Sequence, residues 1–304
     1  MKQNITLISI LFALLLSSCN KENPLAGVDN DGAINGLFSV SDTCTVKFSR
    51  GNLQYQASSS TWQFAEHQYD CIGNDNDGIA EAYTGWIDLF GWATSGWNSG
   101  AEAYMPYSTN LTDSDYFPGG NDSTELTGTY ADADWGQFNT IANGGASQHQ
   151  WRTLTSDEWH YILNARANAA NKYGLAKVNG VDGLVLLPDN WTLPSGCEFT
   201  PGTEKGYKTN RYSASDWTDM QTAGAVFLPA AGYREESTIF TKFYYDSESM
   251  GCYGFYWSAT PHVVLPRTGK FICSNNLFFC KENVNAKNFS KRHFGLAVRL
   301  VKDI

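Results

Sequence analysis

Trp151-Arg152-Thr153-Leu154-Thr155-Ser156-Asp157-Glu158-Trp159 carries the clearest local instruction in this chain of 304 residues. Thr155 stands where an N-cap hydroxyl accepts an amide of the first helical turn. Glu158, three positions on, can return the bond to the Thr155 amide, which makes a capping box, and Leu154 and Trp159 take the hydrophobic-staple positions beside it. Asp157 and Glu158 also place negative charge at the positive end of the helix dipole. Trp159, Ile162, Leu163 and Ala170 continue an apolar stripe, so the spacing predicts a helix from Ser156 to about Asn171.

Outward from that helix the pattern changes to strands and aromatic loops. Residues 37–48 alternate apolar and polar side chains, as a half-buried strand does. Short apolar runs at 184–187, 225–228 and 297–301 have strand length, and Asn179-Gly180 and Asp182-Gly183 are turn pairs. Residues 85–97 set a Trp after each of three glycines with neither helical nor strand period, which reads as compact loop with rings filling irregular gaps. Residues 98–150 are rich in Gly, Asn, Ser, Thr and Asp, and their Tyr and Trp content favours an ordered loop region. No repeat of 20–50 residues is visible, so neither a solenoid nor a propeller is indicated. The expected class is α+β, as one domain over residues 37–302.

Composition narrows the function classes. The chain carries 31 acidic against 21 basic side chains, a net charge of −10, which disfavours binding to nucleic-acid phosphates. Its 17 Phe, 16 Tyr and 10 Trp supply enough apolar surface to make disorder unfavourable. Lys2 followed by the apolar run 5–16 reads as a signal peptide, because a bilayer-spanning helix needs roughly 20 apolar residues. Leu16-Ser17-Ser18-Cys19 resembles a bacterial lipobox, with Cys19 as the lipidation site. Residues 1–18 would then be removed, taking the charge from −10 to −11, and residues 19–36 read as a flexible stalk. Six cysteines follow: Cys44, Cys71, Cys197, Cys252, Cys273 and Cys280. They fit no zinc spacing and leave both disulfides and buried thiols open.

Four motifs in order suggest a family. The stretch at 151–159 resembles the helix start of formylglycine-generating-enzyme (sulfatase-modifying-factor) folds, a branch of the C-type-lectin-like superfamily. Gly224-Ala225-Val226-Phe227-Leu228-Pro229-Ala230-Ala231-Gly232-Tyr233-Arg234, Gly254-Phe255-Tyr256-Trp257-Ser258-Ala259-Thr260 and Gly295-Leu296-Ala297-Val298-Arg299-Leu300-Val301 follow it. Their order is similar to the Fibrobacter succinogenes major paralogous domain family of bacterial lipoproteins, over about 151–302, with Phe48-Ser49-Arg50-Gly51-Asn52-Leu53-Gln54-Tyr55 as a weaker extension. The resemblance implies a C-type-lectin-like α+β domain with small twisted sheets, long loops and a Trp-rich core. With the lipobox it implies a lipid-anchored protein of the bacterial outer membrane, exposed at the surface; it leaves the ligand open.

A copper-dependent oxidase of the formylglycine-generating type would use a close pair of cysteines, whereas Cys273 and Cys280 are separated by six residues and the surrounding Arg and Ser pattern is missing. No G-x-S-x-G is present, and His67, His149 and His160 read as surface or hydrogen-bonded histidines. Asn74-Asp75-Asn76-Asp77-Gly78 and Asp29-Asn30-Asp31-Gly32 look like calcium loops, but both lack the carboxylates an EF-hand needs at its first and twelfth positions, so Asx turns account for them better. The tryptophans could stack on sugars, but most fall in motifs that would be core. No catalytic residue, metal or cofactor is expected.

The segment 262–293 mixes aromatic, basic, Asn and Cys residues between two framework motifs. This layout resembles the variable proteins of diversity-generating retroelements, in which Lys270, Lys281, Glu282, Lys287 and Lys291 would be framework; a fixed loop in an ordinary paralogue is the preferred reading, with the diversified segment as its alternative. Either way the segment is the expected ligand surface for an extracellular glycan or protein. The candidate contacts are His262, Arg267, Asn275, Asn276, Phe279, Asn283, Asn288, Arg292 and His293, with Lys291, Arg292 and His293 as a local positive spot.

Overall fold

A computed structural model describes residues 23–97, 104–241, 252–264 and 271–304. Its strands are β1 (Phe38–Ser39), β2 (Thr45–Phe48), β3 (Leu53–Gln56), β4 (Thr61–Phe64), β5 (Tyr173–Val178), β6 (Val181–Leu186) and β7 (Asn210–Tyr212). They continue as β8 (Val226–Pro229), β9 (Tyr233–Glu235), β10 (Thr238–Phe240), β11 (Gly254–Val264), β12 (Phe271–Cys280), β13 (Asn283–Ser290) and β14 (Val301–Asp303). Three short α-helices are α1 (Trp135–Phe138), α2 (Ser156–His160) and α3 (Ala214–Thr222). The protein is therefore α+β, built from several small, mainly antiparallel sheets joined by long loops.

Two sheets organise the body. The four-stranded one runs β7-β5-β6-β8 and is antiparallel except for the parallel β5–β7 pair. Its β5–β6 hairpin closes on Asn179 and Gly180, both at positive φ, between the paired Val178 and Val181. Those are the two residues that a tight hairpin of primed type demands. The other sheet, β11-β12-β13, is the longest-stranded and fully antiparallel. A smaller sheet joins β1 and β2 to β14, pairing Val301 with Phe48 across most of the sequence.

Residues 37–48 form a hairpin rather than one strand. The Ser41 hydroxyl accepts the amides of Thr43 and Cys44, so the chain reverses there, and the alternation continues only in β2, where Val46 and Phe48 point into the core. The capping box of α2 is present: the Thr155 hydroxyl accepts the Glu158 amide at 3.2 Å and the Glu158 carboxylate accepts the Thr155 amide at 2.8 Å. Arg152 grips the same carboxylate with two guanidinium bonds and reaches Asp303 of β14. The helix is shorter than expected. It passes into a single π-turn at Tyr161–Ala165, because Arg166 Nε takes the Ile162 carbonyl at 2.7 Å and Asn168 then adopts a left-handed conformation. Trp159, Ile162 and Leu163 are buried as the stripe requires, but Ala170 is exposed and Ala169 is inside instead.

The expected stalk is also corrected. Residues 23–36 lie on the body: Ala33 and Ile34 are core residues, and Ile34 donates to the Phe48 carbonyl. Buried Gln221 of α3 donates to the carbonyls of Pro24 and Ala26. Cys19 and the apolar run before it lie outside the described residues.

Seven of the ten tryptophans are buried, and five of these donate their indole N–H to specific acceptors, whereas the buried N–H of Trp217 has none. Trp92 donates to the Ser258 carbonyl, Trp257 to Phe90, and Trp151 to Gly144. That disposes of most of them as sugar platforms and makes them the struts between loops. Buried polar side chains do similar work. Arg292 donates to the carbonyls of Cys273, Tyr116 and Asp122, and packs its guanidinium over the rings of Trp92 and Phe117. Arg299 bonds Gln68 and Asn52. Two carboxylates, Asp88 and Asp134, are fully buried; each accepts amide donors, and burial pushes each up to about 6.

Candidate functional site

The hairpin register decides which residues of 262–293 reach a surface. On β12, Asn276 is fully buried, with its amide bonded to Ser290 and Asn288, and Phe279 stacks on Tyr256 within the main core. Arg292 is the internal pin already described. His293 is buried as well, held by Asp113 at 2.8 Å. These four are therefore structural, and the expected positive spot at 291–293 does not form a surface, because Arg292 spends its donors on carbonyls. Asn283 is exposed at the start of β13, and Arg267 lies outside the described residues.

The rest converge. His262 on β11 and Asn275 on β12 face an open depression of about 450 Å³, completed by Thr260, Glu125, Lys287 of β13, and Thr155, Ser156 and Asp157 at the start of α2. The His262 ring stacks on Phe289 with centroids 4.4 Å apart and an interplanar angle of 8°. Phe289 keeps 43% of its surface exposed, so the pair forms an aromatic plate at the rim. Asn275 bridges strands by donating to the Asn288 carbonyl at 3.2 Å, with its amide 3.5 Å from His262 Nδ1. Lys287 reaches Asp157 at 2.6 Å, and the Ser156 amide donates to Thr260 Oγ1. Partial burial shifts the His262 imidazole down, so it is neutral near pH 7 and the lining carries Lys287 against two carboxylates.

Chemically the depression offers a flat apolar face beside hydroxyls, an amide, and charges of both signs. Glu125, Asp157, Thr260 and Lys287 were missed as site residues. Asp157 reads from sequence as a helix-dipole partner, and Lys287 as framework. Thr260 lies two positions before His262 on β11, but nothing local brings the other three; the packing of α2 over β13 and β11, and the Leu126 amide on the Ala259 carbonyl, do.

The other candidates resolve as structure. Asn76 is a buried plug whose side chain accepts the Asp88 and Leu89 amides and donates to Asp88 and the Gly73 carbonyl, so the Asn74–Gly78 run folds on itself. Cys273 and Cys280 are free thiols buried on one strand. Seven residue steps of strand separate them by roughly 23 Å at about 3.3 Å per step, too far to share a copper ion. Burial pushes the Cys273 thiol up to about 12, away from reactivity. Among the described residues, no group of three or more His, Cys, Asp or Glu side chains could hold a metal, and no helix is long and apolar enough to cross a membrane. No family model, curated protein or solved structure matches the chain.

Proposed function

We propose that this is a lipid-anchored envelope protein, held through Cys19, whose C-type-lectin-like domain binds an extracellular glycan or protein ligand and catalyses no reaction. The observation that carries the reading is the depression over β11-β12-β13, where the His262–Phe289 plate stands beside Asn275, Lys287, Asp157 and Glu125. A pyranose ring offers an apolar face to such a plate and hydroxyls to the flanking groups; a protein loop could use the same chemistry with a side chain in place of the ring. Small sheets, long loops and a Trp-rich interior support the fold assignment.

Point variants test it, because replacing the whole segment would delete Asn276, Phe279 and Arg292 from the interior. A chain with Cys19→Ser, screened against glycan and surface-protein panels, is expected to yield a ligand. Binding should weaken at least about 10-fold in Phe289→Ala and in Lys287→Glu, the cost of losing about 1.4 kcal/mol of contact. Thermal unfolding should stay within a few degrees of the parent. A ligand bound equally well by both variants would place recognition elsewhere.

A further inference from the structure

The body begins almost at once after the expected anchor. The Asn23 amide reaches Thr218 Oγ1, and by Pro24 the backbone is clamped to α3 through Gln221. Only four residue steps join Cys19 to Asn23, and an extended chain spans at most about 3.6 Å per step, so the tether reaches no further than about 14 Å. A domain of this size has a radius of gyration near 19 Å. A lipid on Cys19 would thus hold the body against the bilayer rather than above it, with the Asn23 side facing the lipid.

That side has a distinct surface. Two depressions, of about 580 and 320 Å³, share Leu25, Arg50 and Asn143 and so form one trough, with Pro24, Val28 and Gln63 along its walls. Leu25 stands at it with 55% of its surface exposed, one of the few large apolar side chains so placed. Arg50 uses Nη2 on the Glu66 carbonyl and brings a guanidinium fork, suited to a phosphate, to the same trough. Of the nearby carboxylates, Asp29 pairs with Lys47 at 2.6 Å and Asp31 with Lys302, while Glu66 lines the trough beside Arg50 and offsets part of its charge. The trough shares no lining residue with the depression at His262.

We propose that the trough at Leu25 and Arg50 is the face this protein lays on the phospholipid headgroups of its own membrane, with Leu25 at the interface and Arg50 beside a lipid phosphate. This rests on the reading of Cys19 as the lipid anchor. The test uses the full-length chain, lipidated and reconstituted in vesicles of phosphatidylethanolamine and phosphatidylglycerol, with a photo-crosslinking benzoylphenylalanine at position 25, 111 or 289. Leu111 and Phe289 are exposed control positions, at 47% and 43%.

Phospholipid adducts, read by mass, should be at least about 5-fold more abundant at 25 than at either control. Inserting twenty Gly/Ser residues between Glu22 and Asn23 widens the mean tether to roughly 25–30 Å; a preference for position 25 that persists there supports the proposal further, as engagement of the headgroups by the face itself. Equal adducts at all three positions of the parent chain, or more adduct at either control than at 25, would overturn the proposal while leaving the anchor intact. A chain whose intact mass shows no lipid at Cys19 would overturn the anchor, and the apposed face with it.

Discussion

Asp88 offers the sharpest test of how the interior is held. Its carboxylate is fully buried, accepts the Ile72 amide at 2.9 Å and the Asn76 amide group at 2.7 Å, and is pushed up to about 6 by burial. The folded state therefore binds this proton more tightly than the unfolded chain, whose value is 3.8. The cost of keeping the group ionised is fully present above about pH 6, shrinks as pH falls, and is gone below about 3.8. A shift of about two units corresponds to about 3 kcal/mol, of which about 2 kcal/mol is recovered by pH 4.5. Other carboxylates titrate over the same range, so the measurement must be a difference between two chains.

Asp88→Asn removes the buried charge but supplies one acceptor where two donors converge, costing about 1–3 kcal/mol for the donor left unpaired. At pH 7 the two effects nearly cancel; at pH 4.5 only about 1 kcal/mol of the ionisation cost is left to set against the loss. In urea unfolding of the Cys19→Ser chain, the variant should sit within about 1 kcal/mol of its parent at pH 7 and fall behind it by about 2 kcal/mol more at pH 4.5. The same gap at both pH values, with m unchanged, would refute a protonated, burial-shifted Asp88.

Arg292→Met keeps the side chain's bulk against Trp92 and Phe117 but abandons the carbonyls of Cys273, Tyr116 and Asp122, so it should destabilise by about 3–5 kcal/mol, a fall in Tm of roughly 6–15 °C by calorimetry. Thr155→Ala removes the cap of α2 and should cost about 0.5–2 kcal/mol in urea unfolding, while Thr155→Ser restores most of it.

Much of the local grammar was readable from residues alone. The capping box at Thr155 and Glu158 forms as written, and Asn179-Gly180 makes its hairpin turn, because both depend on neighbours within four positions. Where α2 stops was not readable, since Arg166 interrupts the ladder by a side-chain choice that an apolar stripe does not record. The stretch at 23–36 looked like a stalk by composition; its backbone is held by Gln221, nearly two hundred positions away. The ligand surface shows the same limit. Polar residues such as Asn276 and Arg292 look exposed in a one-dimensional reading, and only the pairing of β12 with β13 and the carbonyls around the guanidinium turn them inward. His262 and Asn275 line the depression as residues of the expected type, whereas Asp157, Glu125 and Lys287 join them only through packing.

The pairing of β2 with β14 has a consequence for biogenesis. Val46, Lys47 and Phe48 find their partners in Asp303, Lys302 and Val301, some 250 positions later, and Arg152 is fastened to the same strand. A chain crossing a membrane from its N-terminal side delivers β2 long before β14 exists, so this sheet stays half-built until translocation is nearly over. Contacts of such long separation form late, and until then the apolar faces of Val46 and Phe48 are open to solvent. On the export route proposed above, the half-built sheet would need holdase chaperones on the far side of the membrane, and a truncation that removes only residues 299–304 should be as damaging to secretion as one much nearer the start.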